Sequence, residues 1–186
     1  VFSFFNCKKE KENRPNIVWL VAEDQSQYFF PFYGDKTVDL PNVGQLLENG
    51  ILYDEMHSPY PVCAPARSAI ITGMYPSSIG TGNQRAYHQK RKVRPDSESQ
   101  LGFPYYSSKL AEAIKPFTQI LRENGYYCTN NSKTDYNFKL TDEAWDESSN
   151  HASWENRKKD QPFFAVFNFG VTHESSIWNR DKKKLK

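Results

Sequence analysis

Cysteine and long apolar runs are scarce in this chain, and each scarcity excludes something. The three cysteines, Cys7, Cys63 and Cys128, are an odd number in 186 residues, so they do not make a disulfide framework. No C-x-x-C pair or Cys/His cluster offers a zinc site. No apolar stretch approaches the roughly 18 residues that cross a bilayer as a helix. Neither sign of charge dominates: 24 Lys and Arg against 22 Asp and Glu leave +2, which argues against the basic face of a nucleic-acid binder. The basic runs, Lys8-Lys9 and Lys182-Lys183-Lys184, read as solvated tail.

What is present is a globular composition. Hydrophobic residues make up 38% and aromatics 15%, in a length that can enclose a core. The terminus "VFSFFNCKKEKENRP" starts without methionine, is apolar for five residues, reaches Cys7 and then turns charged. Two readings stand. One is the end of a bacterial lipoprotein signal, with a lipid anchor on Cys7, although Asn6 is a poor match to the small residue expected there. The other is an ordinary terminus. The first makes residues 1–14 a tether or signal remnant and places the protein in the periplasm or on the outer membrane of a bacterium.

Behind Pro15, "NIVWLVA" (16–22) predicts a strand buried on both faces, ending in Glu23 and Asp24. "PNVGQLLENG" (41–50) predicts a helix with Val43, Leu46 and Leu47 on one face and Gly50 as its stop. "ILY" (51–53) reads as a strand. "PFTQILRENG" (116–125) repeats the helix design with Phe117, Ile120 and Leu121, and "YYCT" (126–129) and "PFFAVFNFG" (162–170) read as strands. Cys128 is expected to be a buried thiol. Segments 84–107 and 139–161 are polar and aperiodic and read as loops or a hairpin excursion. Strands alternating with helices imply an α/β fold, a mostly parallel central sheet flanked by helices on both faces. In such sheets ligands sit beyond the carboxyl ends of the strands. Three strands end in useful chemistry: Glu23-Asp24, residues 130–133, and Thr172-His173.

"PVCAPARSAIITG" (61–73) sets a cysteine between prolines at a helix start. Pro65 suits the first turn, Ala66, Ala69 and Ile70 form an apolar face, and Gly73 ends the run. Unpaired N–H groups at the start favour an anion, and Arg67 enters on the side of Cys63. The pattern alone is compatible with a low-pKa thiolate, an oxyanion site, or a helix that begins near a buried cysteine.

Cys63-Ala64-Pro65-Ala66-Arg67 with Thr72-Gly73 resembles the signature of the type I, formylglycine-dependent sulfatases. "RPNIVWLVAEDQS" is similar to that family's first strand and acidic pair, and residues 40–82 follow its pattern. "LRENGYYCTNNSKTDYNF" and "QPFFAVFNFGVTHES" resemble its later segments. The resemblance implies an alkaline-phosphatase/sulfatase-like fold, with residues 15–186 the amino-terminal part of a catalytic domain that is inactive alone. It implies that a formylglycine-generating maturation enzyme converts Cys63 to formylglycine. The hydrated aldehyde would attack sulfur with one hydroxyl, and the other would let the bound sulfate leave. Glu23, Asp24 and residue 63 would hold a hard cation, Ca²⁺ or Mg²⁺. Many members have two aspartates where Glu23-Asp24 stands. Arg67 would brace the diol and the metal-site carboxylates, Lys133 would contact sulfate, and His173 would bond sulfate or protonate the leaving group. Asp135 stands where the family commonly has a histidine, and Asn83 and His88 fall where members line the substrate pocket. Within the family, residues 129–138 and 145–175 are most similar to the heparan N-sulfatase-like group, which implies a sulfated sugar of glycosaminoglycan type. A phosphate or phosphonate ester hydrolase of the same fold and a non-catalytic glycan-binding relic are the competing readings.

Overall fold

A computed structural model of the chain describes residues 14–84 and 108–178. Cys7, His88, the basic runs and nearly all of the loop expected at 84–107 lie outside the described residues.

The centre is a four-stranded, all-parallel sheet built from β1 (Ile17–Ala22), β2 (Tyr127–Asn131), β3 (Glu147–Ser148) and β4 (Phe163–Phe169), in the order β1-β4-β2-β3. Four helices accompany it: α1 (Pro41–Glu48), α2 (Cys63–Thr72), α3 (Phe117–Glu123) and α4 (Ser175–Trp178). Ile17 pairs with Phe164 and Ala22 with Phe169, so β1 and β4 end side by side. Asn131 at the end of β2 pairs with Phe167 of β4. The carboxyl ends of three strands therefore share one edge of the sheet. No helix among the described residues is long and apolar enough to cross a membrane.

β4 is the strand that matches its apolar run: Phe163, Phe164, Ala165 and Val166 are all buried. On one face Phe164 meets Trp19 and Phe117 edge-on, with ring centroids 5.0 and 5.2 Å away. Trp145, Ile71 and Cys128 complete that core. On the other face Trp154 stacks on Phe163 at 5.0 Å and meets Phe167 edge-on. Both faces of β4 are thus covered, one by α2 and α3 and the other by the 3₁₀ turn Trp154–Asn156.

Four expectations need correction. β1 is not buried on both faces: it is the edge of the described sheet, and Val18 and Leu20 are 45% and 60% exposed. Residues 51–53 form no strand, because no neighbouring strand pairs with them, and all three are exposed. The expected helix faces hold only in part: Phe117 and Leu121 pack against the core, Ala69 is buried, and Val43 and Leu47 are partly buried. Leu46, Ile70 and Ile120 point outward, while Ile71 and Thr118 take buried places on α2 and α3. Finally, the segment 139–161 is neither all loop nor a hairpin: β3, which pairs in parallel with β2, and the Trp154 turn lie within it. Gly50 does end α1, for a steric reason: a Cβ there would sit 2.7 Å from the Leu46 carbonyl oxygen. Cys128 is fully buried as expected, and burial, then the nearby Asp146 carboxylate, push its thiol up to about 12.

Candidate active site

Helix α2 begins where the local chemistry requires. Val62 is extended (φ −138°), its carbonyl accepts from the Ala66 N–H at 3.1 Å, and Pro65 needs no acceptor in this first turn. Gly73, at φ 67°, closes the helix by donating to the Ala69 carbonyl. Cys63 is therefore the first helical residue, and it is partly exposed. Ser68 and Ala64 face inward at 0% exposure, and the Ser68 hydroxyl donates to the Tyr136 carbonyl at 2.5 Å. This contact ties α2 to the loop after β2.

Arg67, one turn beyond Cys63, holds that loop more firmly. Its Nε donates to the Thr134 carbonyl at 2.8 Å and its Nη2 to the Lys133 carbonyl at 2.6 Å. Nη1 donates to Asn168 Oδ1 at 3.1 Å. The guanidinium also lies over the Tyr136 ring, 5.5 Å from its centroid. Burial raises the Tyr136 hydroxyl pKa, and the Arg67 charge opposes that rise. The bonds of Arg67 thus run to the Lys133 loop and to β4.

Lys133 then reaches across to the end of β1, its Nζ 2.5 Å from Glu23 Oε2. His173, beyond β4, brings Nε2 within 4.0 Å of the same oxygen. The exposure of these three side chains is 22% or less, so the cluster is shielded from water. The Ser175 backbone N–H donates to His173 Nδ1 at 3.1 Å. That makes Nδ1 an acceptor and places the proton of the neutral ring on Nε2, facing the cluster. Asp24 is exposed, at φ 53°, and its Oδ2 accepts from the Glu174 N–H at 2.9 Å. Asp135 occupies a left-handed turn (φ 50°) just after the carbonyls that Arg67 holds.

The structure therefore joins Glu23, Lys133 and His173 directly and links Cys63 to them through α2 and Arg67. Asn83 contributes a backbone carbonyl, which accepts from Asn137 Nδ2 at 2.5 Å. The residue after it was not foreseen. Gln84 Oε1 accepts from the Ala64 N–H at 3.3 Å, and Gln84 Nε2 lies 3.5 Å from Cys63 Sγ. One of the N–H groups expected to be open at the helix start is therefore occupied. The turn that returns Gln84 is compact, since a Cβ on Gly82 would lie 3.2 Å from the Tyr60 hydroxyl. Asn168 was not foreseen either, because it sits inside an apolar run.

Glu23 and Asp24 offer the hard oxygens that Ca²⁺ or Mg²⁺ prefers. They are two carboxylates where such a cation takes six or more oxygens, and Glu23 already bonds Lys133. No group of three metal-ligating side chains occurs among the described residues. These residues do not complete a cation site by themselves. A cleft of about 720 Å³ opens from Gln25, next to Asp24, walled by Tyr28, Tyr33, Tyr53 and Asp54.

The profile of the family described as Sulfatase matches residues 15–183. An ulvan-active sulfatase of Formosa agariphila is 50% identical over 165 residues, which cover 89% of this chain and 26% of that protein. An N-acetylglucosamine-6-O-sulfatase of Bacteroides thetaiotaomicron is 26% identical over 99 residues, 53% of this chain and 18% of that protein. This chain spans about a quarter or less of the length of these relatives. A protein solved in complex with its substrate D-glucosamine-2-N,6-O-disulfate shares the fold, with a TM-score of 0.64 at 17% identity over 87% of this chain and 35% of the other. Matched over most of its length by the family profile and half identical to one member, this chain belongs to the sulfatase family.

Proposed function

We propose that the protein hydrolyses sulfate esters on a glycan and that this chain carries its nucleophile and its sulfate-holding cation. The observation that carries the reading is the convergence of Lys133, Glu23 and His173 at the carboxyl ends of three parallel strands, tied by Arg67 to the helix that starts at Cys63. An ammonium has three N–H donors, so the bond to Glu23 leaves Lys133 able to hold a sulfate oxygen. The Nε2–H of His173 donates a hydrogen bond to the sulfate group, and the departing sugar oxygen takes its proton from water as the sulfur–oxygen bond breaks. One water is consumed, and free sulfate and the sugar hydroxyl result. Formylglycine, made from Cys63 by a maturation enzyme, supplies the nucleophilic oxygen. Glu23 and Asp24 are the oxygens this chain would lend to Ca²⁺ or Mg²⁺. Asp135 has the role of a base near residue 63. Asn83 and His88 border the sugar, and the tyrosine-walled cleft beside Asp24 receives it. A lipid on Cys7 would fix the enzyme at the bacterial envelope.

The 50% identity to an ulvan-active sulfatase supports a sulfated polysaccharide as substrate. A second substrate class, N-sulfated glucosamine, rests on the likeness of 129–138 and 145–175 to the heparan N-sulfatase-like group and on the disulfated glucosamine bound by the structural neighbour. The test is sulfate release by the full-length protein from ulvan and from N-sulfated glucosamine, with inorganic sulfate and phosphate as competitors. Alongside it, mass spectrometry of the residue-63 peptide should show a loss of about 18 Da, the arithmetic of thiol replaced by aldehyde. We expect release from ulvan, stronger competition by sulfate, and the lighter peptide. An unmodified thiol in active enzyme overturns the formylglycine chemistry, and phosphate-ester cleavage without sulfate release overturns the substrate class.

A further inference from the structure

Asn168 is the penultimate residue of an otherwise apolar strand, FFAVFNF, and is partly buried. An amide there needs partners for both of its ends. Its Oδ1 accepts from Arg67 Nη1 at 3.1 Å. Its Nδ2 donates to Asn130 Oδ1 at 3.0 Å and to the Asn131 carbonyl at 3.2 Å. Arg67 can only donate and a carbonyl can only accept, so these two partners fix which end of the amide faces which way. Asn130, with 0% exposure, extends the chain by donating to Ser148 Oγ at 2.9 Å. A hydrogen-bonded line thus crosses the sheet from β3 through β2 and β4 to α2. Its last member, Arg67, grips the carbonyls of Lys133 and Thr134. Arg67 and Asn168 border a cavity of about 50 Å³ whose other walls include Trp19, Ile71, Phe117 and Val166. That apolar surround leaves the guanidinium few alternative polar partners.

We propose that Asn168 is a positioning residue for the reaction. It sets the direction of the Arg67 guanidinium, and Arg67 in turn sets the height of the Lys133–Thr134 backbone, from which Lys133 reaches Glu23. Asn168 itself touches neither residue 63 nor Lys133 Nζ. The kinetic part of this inference rests on the sulfatase reading; the geometric part does not.

The test uses the full-length protein with N168A, N168D, R67A and the double variant N168A/R67A. Aspartate keeps an oxygen for Arg67, but its other oxygen faces the Asn131 carbonyl, which can only accept, so its rescue is partial. We expect N168A to lower kcat/KM about 10- to 100-fold, the scale of a small misplacement at a reacting site, and N168D, which keeps the Arg67 contact, to restore part of that loss. In the double variant N168A should cost nothing beyond R67A, since both act through one contact. The Arg67 Nε–H resonance should exchange with water faster in N168A than in the wild-type protein, and more slowly in N168D than in N168A. Additive losses in the double variant, or an N168A protein with wild-type kcat/KM or wild-type Arg67 exchange, overturn the proposal. A wild-type protein that releases no sulfate would strike the functional reading instead, and the exchange measurement would still decide the role of Asn168.

Discussion

Glu23 is a single carboxylate between an ammonium and an imidazole, and its company explains the chemistry of the site. Side chains that are almost entirely shielded make this contact stronger than an exposed ion pair would be. Replacing Lys133 with alanine removes the cation proposed to hold sulfate and takes the ion-pair partner from Glu23. We expect kcat/KM to fall on the order of 100-fold or more, the usual scale for losing one donor to a developing anion; steady-state sulfate release measures it. Gln84→Ala should act more gently, by freeing the Ala64 N–H and the Cys63 side, and should leave the folded structure intact by circular dichroism. Cys128 gives a pH prediction of defined sign. Its folded pKa is raised from 9.0 to about 12 by burial. Below 9 the thiol is neutral in both states. Between 9 and 12 the unfolded chain loses the proton and the folded chain keeps it, so stability falls as pH rises through that window. Cys128→Ala should flatten this alkaline decline, read as urea midpoints against pH. At this scale the sequence was legible wherever a residue belonged to a local pattern: Cys63 before Pro65, Glu23 at a strand end, His173 after another. Gln84 and Asn168 were not, since their partners stand 20 and 101 positions away.

Among the elements, β4 and β1 have similar apolar sequences and opposite surroundings. Phe164 of β4 is 2% exposed and meets three other aromatic rings. Phe164→Ala should destabilise the chain by about 3–5 kcal/mol, transfer and cavity terms together. Leu20 of β1 is 60% exposed, and Leu20→Ser should change stability by about 0.5 kcal/mol or less. Urea denaturation of the two variants tests the contrast; equal losses would mean that β1 is as enclosed as β4. The apolar run alone could not tell the strands apart, because β-branched and aromatic content reports strand propensity, whereas burial depends on what packs alongside. The same reasoning covers residues 51–53. They have the composition of a strand, but a strand exists only with a partner to share its hydrogen bonds. β3 is the reverse case: Glu147 and Ser148 are polar and were invisible as a strand, yet they pair with Thr129 and Asn130.

For the whole molecule, the parallel order of strands brings distant positions together. Lys133 and Glu23 are separated by 110 residues and Asp24 and Glu174 by 150, yet each pair is in contact. With Glu23 and Asp24 as the cation donors proposed for it, the chain of 186 residues should bind Ca²⁺ no tighter than about 10⁻⁴ M. Calorimetric titration would show this, and micromolar binding would reveal oxygens beyond Glu23 and Asp24. By itself the amino-acid order determined the helix beginning at Cys63, the stops at Gly50 and Gly73, the apolar strands and the residue types at their ends, because these depend on backbone sterics and near-neighbour spacing. Tertiary structure alone decided which strand is central, which helix face is buried and where Arg67 directs its donors. Those outcomes depend on packing and hydrogen bonds between segments far apart in the chain, and no local pattern carries them.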